Sequence, residues 1–61
     1  MSPPTVREVI RMLECDGFDM AHGKGGRLVF RKGDRTVTVH GKLGRQLANG
    51  TWSAIKRQAG W

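Results

Sequence analysis

The chain has a single cysteine, only five acidic residues, and no apolar run approaching the ~20 residues that a bilayer-spanning helix needs. Alone, Cys15 cannot close an intrachain disulfide. With only His22 and His40 to join it, it makes a poor structural zinc site, so no metal and no cofactor is expected. The opening Met-Ser-Pro-Pro-Thr has no signal-peptide pattern. These absences exclude a disulfide scaffold, a zinc module and a membrane protein, and they favour a reducing, cytoplasmic compartment. Sixty-one residues allow one domain, spanning 1–61. A chain of this length buries only ~60% of its unfolded surface, so its stability should be marginal without a partner.

Acidic charge is concentrated in the first third. Residues 1–23 hold two basic side chains against Glu8, Glu14, Asp16 and Asp19, a net −2. Residues 24–61 hold nine Lys or Arg against Asp34 alone, a net +8 that brings the whole chain to +6. A basic body on a small domain is the footprint of a polyanion partner, because phosphates shed condensed counterions when Lys and Arg neutralise them. Membrane surfaces are polyanions too, but no helical pattern here joins a basic face to a broad aromatic or leucine-rich one. Nucleic acid therefore ranks ahead of an incidentally positive surface.

The clearest element is the first helix. Thr5-Val6-Arg7-Glu8 spells a capping box after Pro3-Pro4, and Val6, Val9, Ile10 and Leu13 form one apolar stripe before Gly17 stops the helix. Phe18 to His22 alternates as a short strand, with Phe18, Met20 and His22 sharing the core side by parity. Gly23 to Gly26 makes a glycine-rich turn. Arg27 to Arg31 reads as a second strand with Leu28 and Phe30 on one face. Gly33-Asp34 is a type II′ hairpin signal, and Thr36 to His40 returns as the third strand with Val37 and Val39 inward. The Gly41–Ala48 loop is pinned by Leu43 or Leu47. Asn49 or Thr51 caps a second helix that runs to Ala59 and stops at Gly60. Trp52 belongs to the core, Lys56 and Arg57 look outward, and Cys15 is a small buried or half-buried filler. The expected fold is α+β: a three-stranded antiparallel sheet with both helices on one face, in the α-β-β-β-α order of the double-stranded-RNA-binding domain. The opposite face, with Arg27, Val29, Arg31, Thr36, Thr38 and His40, is left open.

Four local patterns, in this order and near the same spacing, resemble the HicA toxins. They are Val6 to Phe18, V-x-x-V-I-x-x-L-x-x-D-G-F; Lys24 to Phe30, K-G-G-R-L-V-F; Val37 to His40, V-T-V-H; and Gly50 to Gly60, G-T-W-S-A-I-K-R-Q-A-G. The loop between the last two is a residue or two longer than usual. The resemblance implies the toxin of a type II toxin–antitoxin system, a metal-independent endoribonuclease acting on messenger RNA. It implies a HicB-type antitoxin as partner, bound in a hetero-oligomer. In such a reaction a base removes the ribose 2′-hydroxyl proton, an acid protonates the leaving oxygen, and cations stabilise the phosphate.

One position departs from the family. Its Lys-Gly-Ser/Gly-His turn reads here Lys24-Gly25-Gly26-Arg27, with arginine where the catalytic histidine belongs. A guanidinium stays protonated and cannot act as a base, though it binds phosphate well. Three explanations stand open: an inactivating substitution, a copy that binds without cleaving, or transfer of the role to His22 or His40. Of the two, His40 at the open-face end of the third strand is the better candidate, and His22 reads as a strand-end residue at the core edge. Lys24, Gly25, Gly26, Arg31, Lys32, Lys42 and Arg45, on the turn and loops bordering that face, are the candidate RNA contacts. The competing functions are a non-catalytic RNA-binding module and a pure protein-interaction domain.

Overall fold

The computed structural model describes residues 2–61. Its elements run α1 (Val6–Cys15), β1 (Asp19–Lys24), β2 (Arg27–Lys32), β3 (Arg35–His40) and α2 (Asn49–Ala59). The capping box forms as expected: the Thr5 amide donates to Glu8 Oε1 at 2.9 Å, and the Glu8 amide donates to Thr5 Oγ1 at 3.2 Å. The backbone bond holds the Glu8 carboxyl below the usual range, with the Thr5 hydroxyl bond and Arg11 adding to the effect against a small opposing cost of burial. The next two helical amides find partners far along the chain. Val6 N–H donates to the Arg45 carbonyl and Arg7 N–H to the Leu43 carbonyl, both at 2.9 Å. The start of α1 is thus closed by the loop that follows β3.

Both helices end alike. At α1, Gly17 (φ +97°) donates to the Glu14 carbonyl and Phe18 to the Leu13 carbonyl. At α2, Gly60 (φ +81°) donates to Arg57 and Trp61 to Lys56. This is the Schellman pattern, and its hydrophobic contact is supplied at α1 by Phe18 and Leu13, both buried. Phe18 therefore belongs to the helix stop and the core, and β1 begins one residue later and ends two residues later than its alternation indicated. The N-cap of α2 is Ala48, with no side-chain bond, so neither Asn49 nor Thr51 caps it.

The sheet order is β1-β2-β3, antiparallel throughout. Its core side gathers Phe30, Val37 and Val39 against Val6, Val9 and Leu13 of α1 and Ile55 and Ala59 of α2, with Phe18 and Leu47 closing the cluster. Both helices cover this one face, as the patterning required. Of the two loop leucines, Leu47 is the anchor and Leu43 is exposed. Trp52 is half-buried against the cluster, with Lys56 Nζ 5.3 Å from its ring centroid, so Lys56 lies across that ring where an outward position was expected. Cys15 is exposed, because it falls off the α1 stripe of Val6, Val9 and Leu13.

Candidate functional site

The open face is built by register. On β2 and β3, Arg27 pairs with His40, Val29 with Thr38 and Arg31 with Thr36. On β1, Lys24 pairs with Arg27 and Asp19 with Arg31. Directly paired residues of an antiparallel sheet stand on the same face. The rows are therefore Lys24–Arg27–His40, then a middle row on Val29 and Thr38, then Asp19–Arg31–Thr36.

The middle row holds the main surprise. Between Met20 and His22 the register slips, Ala21 has no partner, and His22 pairs with Val29. This β-bulge reverses the parity of the strand beyond it. Met20 stays on the core side opposite Phe30, whereas His22 moves to the open face. Its expected place at the core edge is corrected: His22 is exposed and shares a face with Arg27 and His40.

The glycine turn is tighter than its composition suggested. Gly23 and Lys24 are part of β1, and only Gly25 (φ +59°) and Gly26 (φ +79°) make the turn. Two successive left-handed residues form the type I′ geometry that suits a two-residue hairpin. A Cβ at either glycine would meet nothing within 4 Å, so this backbone is open to an approaching ligand. Gly41 N–H donates to the Gly26 carbonyl at 2.9 Å, which carries the β2–β3 pairing one step past Arg27 and His40. At the other hairpin Gly33 has φ +58° and no non-glycine residue is left-handed, consistent with the type II′ turn expected for Gly33-Asp34.

Charge is divided between the two sides of the sheet. Lys32 does not border the open face. Its ammonium lies 3.5 Å from Asp16 Oδ1 and 5.7 Å from the Phe18 ring centroid, on the helix side. Asp16 also accepts a 3.0 Å bond from Trp61 Nε1, and that bond, followed by the Lys32 charge, holds its carboxyl below the usual aspartate range despite a smaller opposing effect of burial. Trp61 is thereby folded back edge-on to Trp52, with ring centroids 6.1 Å apart. The Arg35 guanidinium sits over Gly60, within 2.6 Å of where a Cβ would stand. Lys24, Arg27 and Arg31 have no carboxylate within salt-bridge distance among the described residues. Lys42 and Arg45 lie on the exposed loop, and Arg45 joins His40 in lining a hollow of about 260 Å³ at the end of β3.

Sequence reasoning missed the place of His22 and the Asp16–Lys32–Trp61 cluster. Among the described residues no three His, Cys, Asp or Glu side chains gather as a metal site, and no helix is long and apolar enough to cross a membrane. Residues 6–61 match the family model described as the HicA toxin of bacterial toxin–antitoxin systems. No curated protein matches the chain.

Proposed function

From the premise that the chain belongs to the HicA family of bacterial toxin–antitoxin toxins, we propose that it is an endoribonuclease that engages messenger RNA on the open face of its sheet. The observation that carries this reading is the row Lys24–Arg27–His40, with Arg31 two rows away on the same face, standing free of carboxylate partners beside an unobstructed glycine turn. A phosphate approaching Gly25-Gly26 meets bare backbone and two long cations. Arg27 grips it through a planar fork of donors matched to the phosphate oxygens. Lys42 and Arg45 extend the track beyond the end of β3.

A second reading rests on Arg27 itself: with no base at that position, the same face serves a non-catalytic RNA-binding module of double-stranded-RNA-binding type. In either case the toxin–antitoxin partner is a HicB-type protein in the cytoplasm. It covers the open face with carboxylates to form a hetero-oligomer, and its binding stabilises the folded toxin by mass action.

The test is RNA affinity across a salt series, with cleavage of messenger RNA followed in EDTA, for the native chain and for Arg27→Glu. Affinity should fall steeply from low to moderate salt, and the variant should bind weakly at every salt concentration. Affinity that ignores both salt and the substitution would place RNA elsewhere or nowhere on this molecule. Antitoxin affinity that survives reversal of Arg27 and Arg31 together would move the antitoxin off this face.

A further inference from the structure

We infer that His22 and His40 form an acid–base pair across Arg27, so that this chain cleaves RNA with proton carriers on the two outer strands and an arginine anchor between them. The inference rests on the RNA-directed reading above and adds its chemistry. It is carried by the bulge at Ala21, which alone brings His22 to the face that holds His40.

The geometry follows from the register. His40 stands directly beside Arg27, a position where facing Cβ atoms lie about 5 Å apart. His22 pairs with Val29, two residues along β2, and so stands diagonal to Arg27, at about 7–8 Å, within reach of a long side chain. The two histidines lie on opposite edges of the sheet and one row apart, which by ordinary strand spacing sets their Cα atoms roughly 12 Å apart. Both imidazoles project from the same face, and the span between them suits one phosphate with its two ribose oxygens. Val29 and Thr38, half-buried, form the floor. Neither imidazole is held by a hydrogen bond among the described residues, and both are exposed, so their nitrogens are free for substrate. The charged groups around them are Lys24, Arg27, Arg31 and Asp19 on the same face and Arg45 in the hollow beside His40.

The reaction balances with these groups alone. One imidazole, neutral, takes the proton of the ribose 2′-hydroxyl as that oxygen bonds to phosphorus. The P–O5′ bond breaks, and the second imidazole, protonated, gives its proton to the departing O5′. The products are a 2′,3′-cyclic phosphate and a 5′-hydroxyl. Arg27 neutralises the non-bridging oxygens throughout, a role for which a permanent charge is better suited than a titrating one. Histidine is the side chain fitted to hold and release a proton near neutral pH.

The experiment measures RNA cleavage in EDTA by the native chain and by His22→Gln and His40→Gln, with RNA affinity and thermal melting of each. It uses two substrates, one ordinary and one with sulfur replacing the 5′-bridging oxygen at the scissile bond. Each variant should melt as the native chain does, because both histidines are exposed, and should keep salt-dependent RNA binding through Lys24 and Arg27, yet cleave the ordinary substrate on the order of 10²–10⁴-fold more slowly. The sulfur leaving group needs no proton, so it should rescue one variant, identifying the acid, and leave the other slow, identifying the base. A His22→Gln protein that cleaves at the native rate overturns the inference, as does failure of the sulfur substrate to rescue either variant. A native chain that binds RNA in a salt-dependent way and never cleaves it overturns the pair while leaving RNA binding intact. A native chain with no RNA affinity overturns the RNA-directed reading as well.

Discussion

β1 and β3 are the two outer strands of one sheet, equal in length and paired to the same neighbour, and they have little else in common. β3 buries Val37 and Val39, and α2 guards its outer edge, where the Thr38 amide donates to Gln58 Oε1 at 3.2 Å. All six residues of β1 are exposed, and its register slips midway. One strand holds the fold together; the other is free to carry groups that the core does not need. Alternation is enforced where a misplaced residue would lose burial, and a bulge is tolerated where it would lose almost none.

The sharpest way to break this comparison is to truncate each strand. Val37→Ala should cost about 2–3 kcal/mol, lowering the melting temperature by on the order of 10 °C in so small a domain. Met20→Ala on β1, where Met20 is 53% exposed, should cost under about 1 kcal/mol. Equal losses in thermal melts would erase the distinction. The next largest effect is on ligand. Lys24→Glu should leave melting unchanged and weaken RNA binding by about tenfold, with the slope of log affinity against log salt falling by about one. A fall in melting temperature would mean that β1 contributes more to the fold than its exposure indicates. The smallest effect concerns the tie that joins the α1–β1 corner to the tail. The Asp16 carboxyl is held low, first by Trp61 and then by Lys32, so its contribution is present above the ordinary aspartate range and is lost as pH falls through its lowered value. Tryptophan emission should therefore shift on acidification, and Asp16→Asn should abolish that component; an identical acid transition in the variant would place the titration elsewhere.

Much of the fold was legible because burial wrote it. The capping box at Thr5, the stripe of Val6, Val9 and Leu13, and the inward pairs Leu28–Val39 and Phe30–Val37 each follow from a period that the core enforces. The open-face side of β2 and β3 was legible for the same reason, as its complement. His22 was not, because its place depends on which end of β1 the count begins from. Counting forward from buried Phe18 puts it on the core side. Counting back from the two-residue Gly25-Gly26 turn, through Lys24 opposite Arg27, puts it on the open face. Two counts that disagree by one residue imply a bulge, and the four-residue turn read from Gly23 to Gly26 concealed the conflict. The partners of Asp16 lay beyond any local pattern: Trp61 is 45 residues away, and the contact exists only once the tail has folded back. The N-cap of α2 was misread because the loop holds that helix by Leu47, and packing there replaces a cap.

The closure of α1 by the loop after β3 also sets an order of events in time. The bonds from Val6 and Arg7 to Arg45 and Leu43, and from Gln46 Nε2 to the Pro3 carbonyl 43 residues away, join the two ends of a long stretch of chain. The hairpins within that stretch are local and can zip on a microsecond scale, whereas the ring around them closes only after they exist. A nascent chain released short of Gln46 would hold its sheet loosely and leave the first turn of α1 unfinished. In hydrogen exchange, the Val6 and Arg7 amides should behave as clocks of whole-molecule opening, slower than any amide along the free edge of β1.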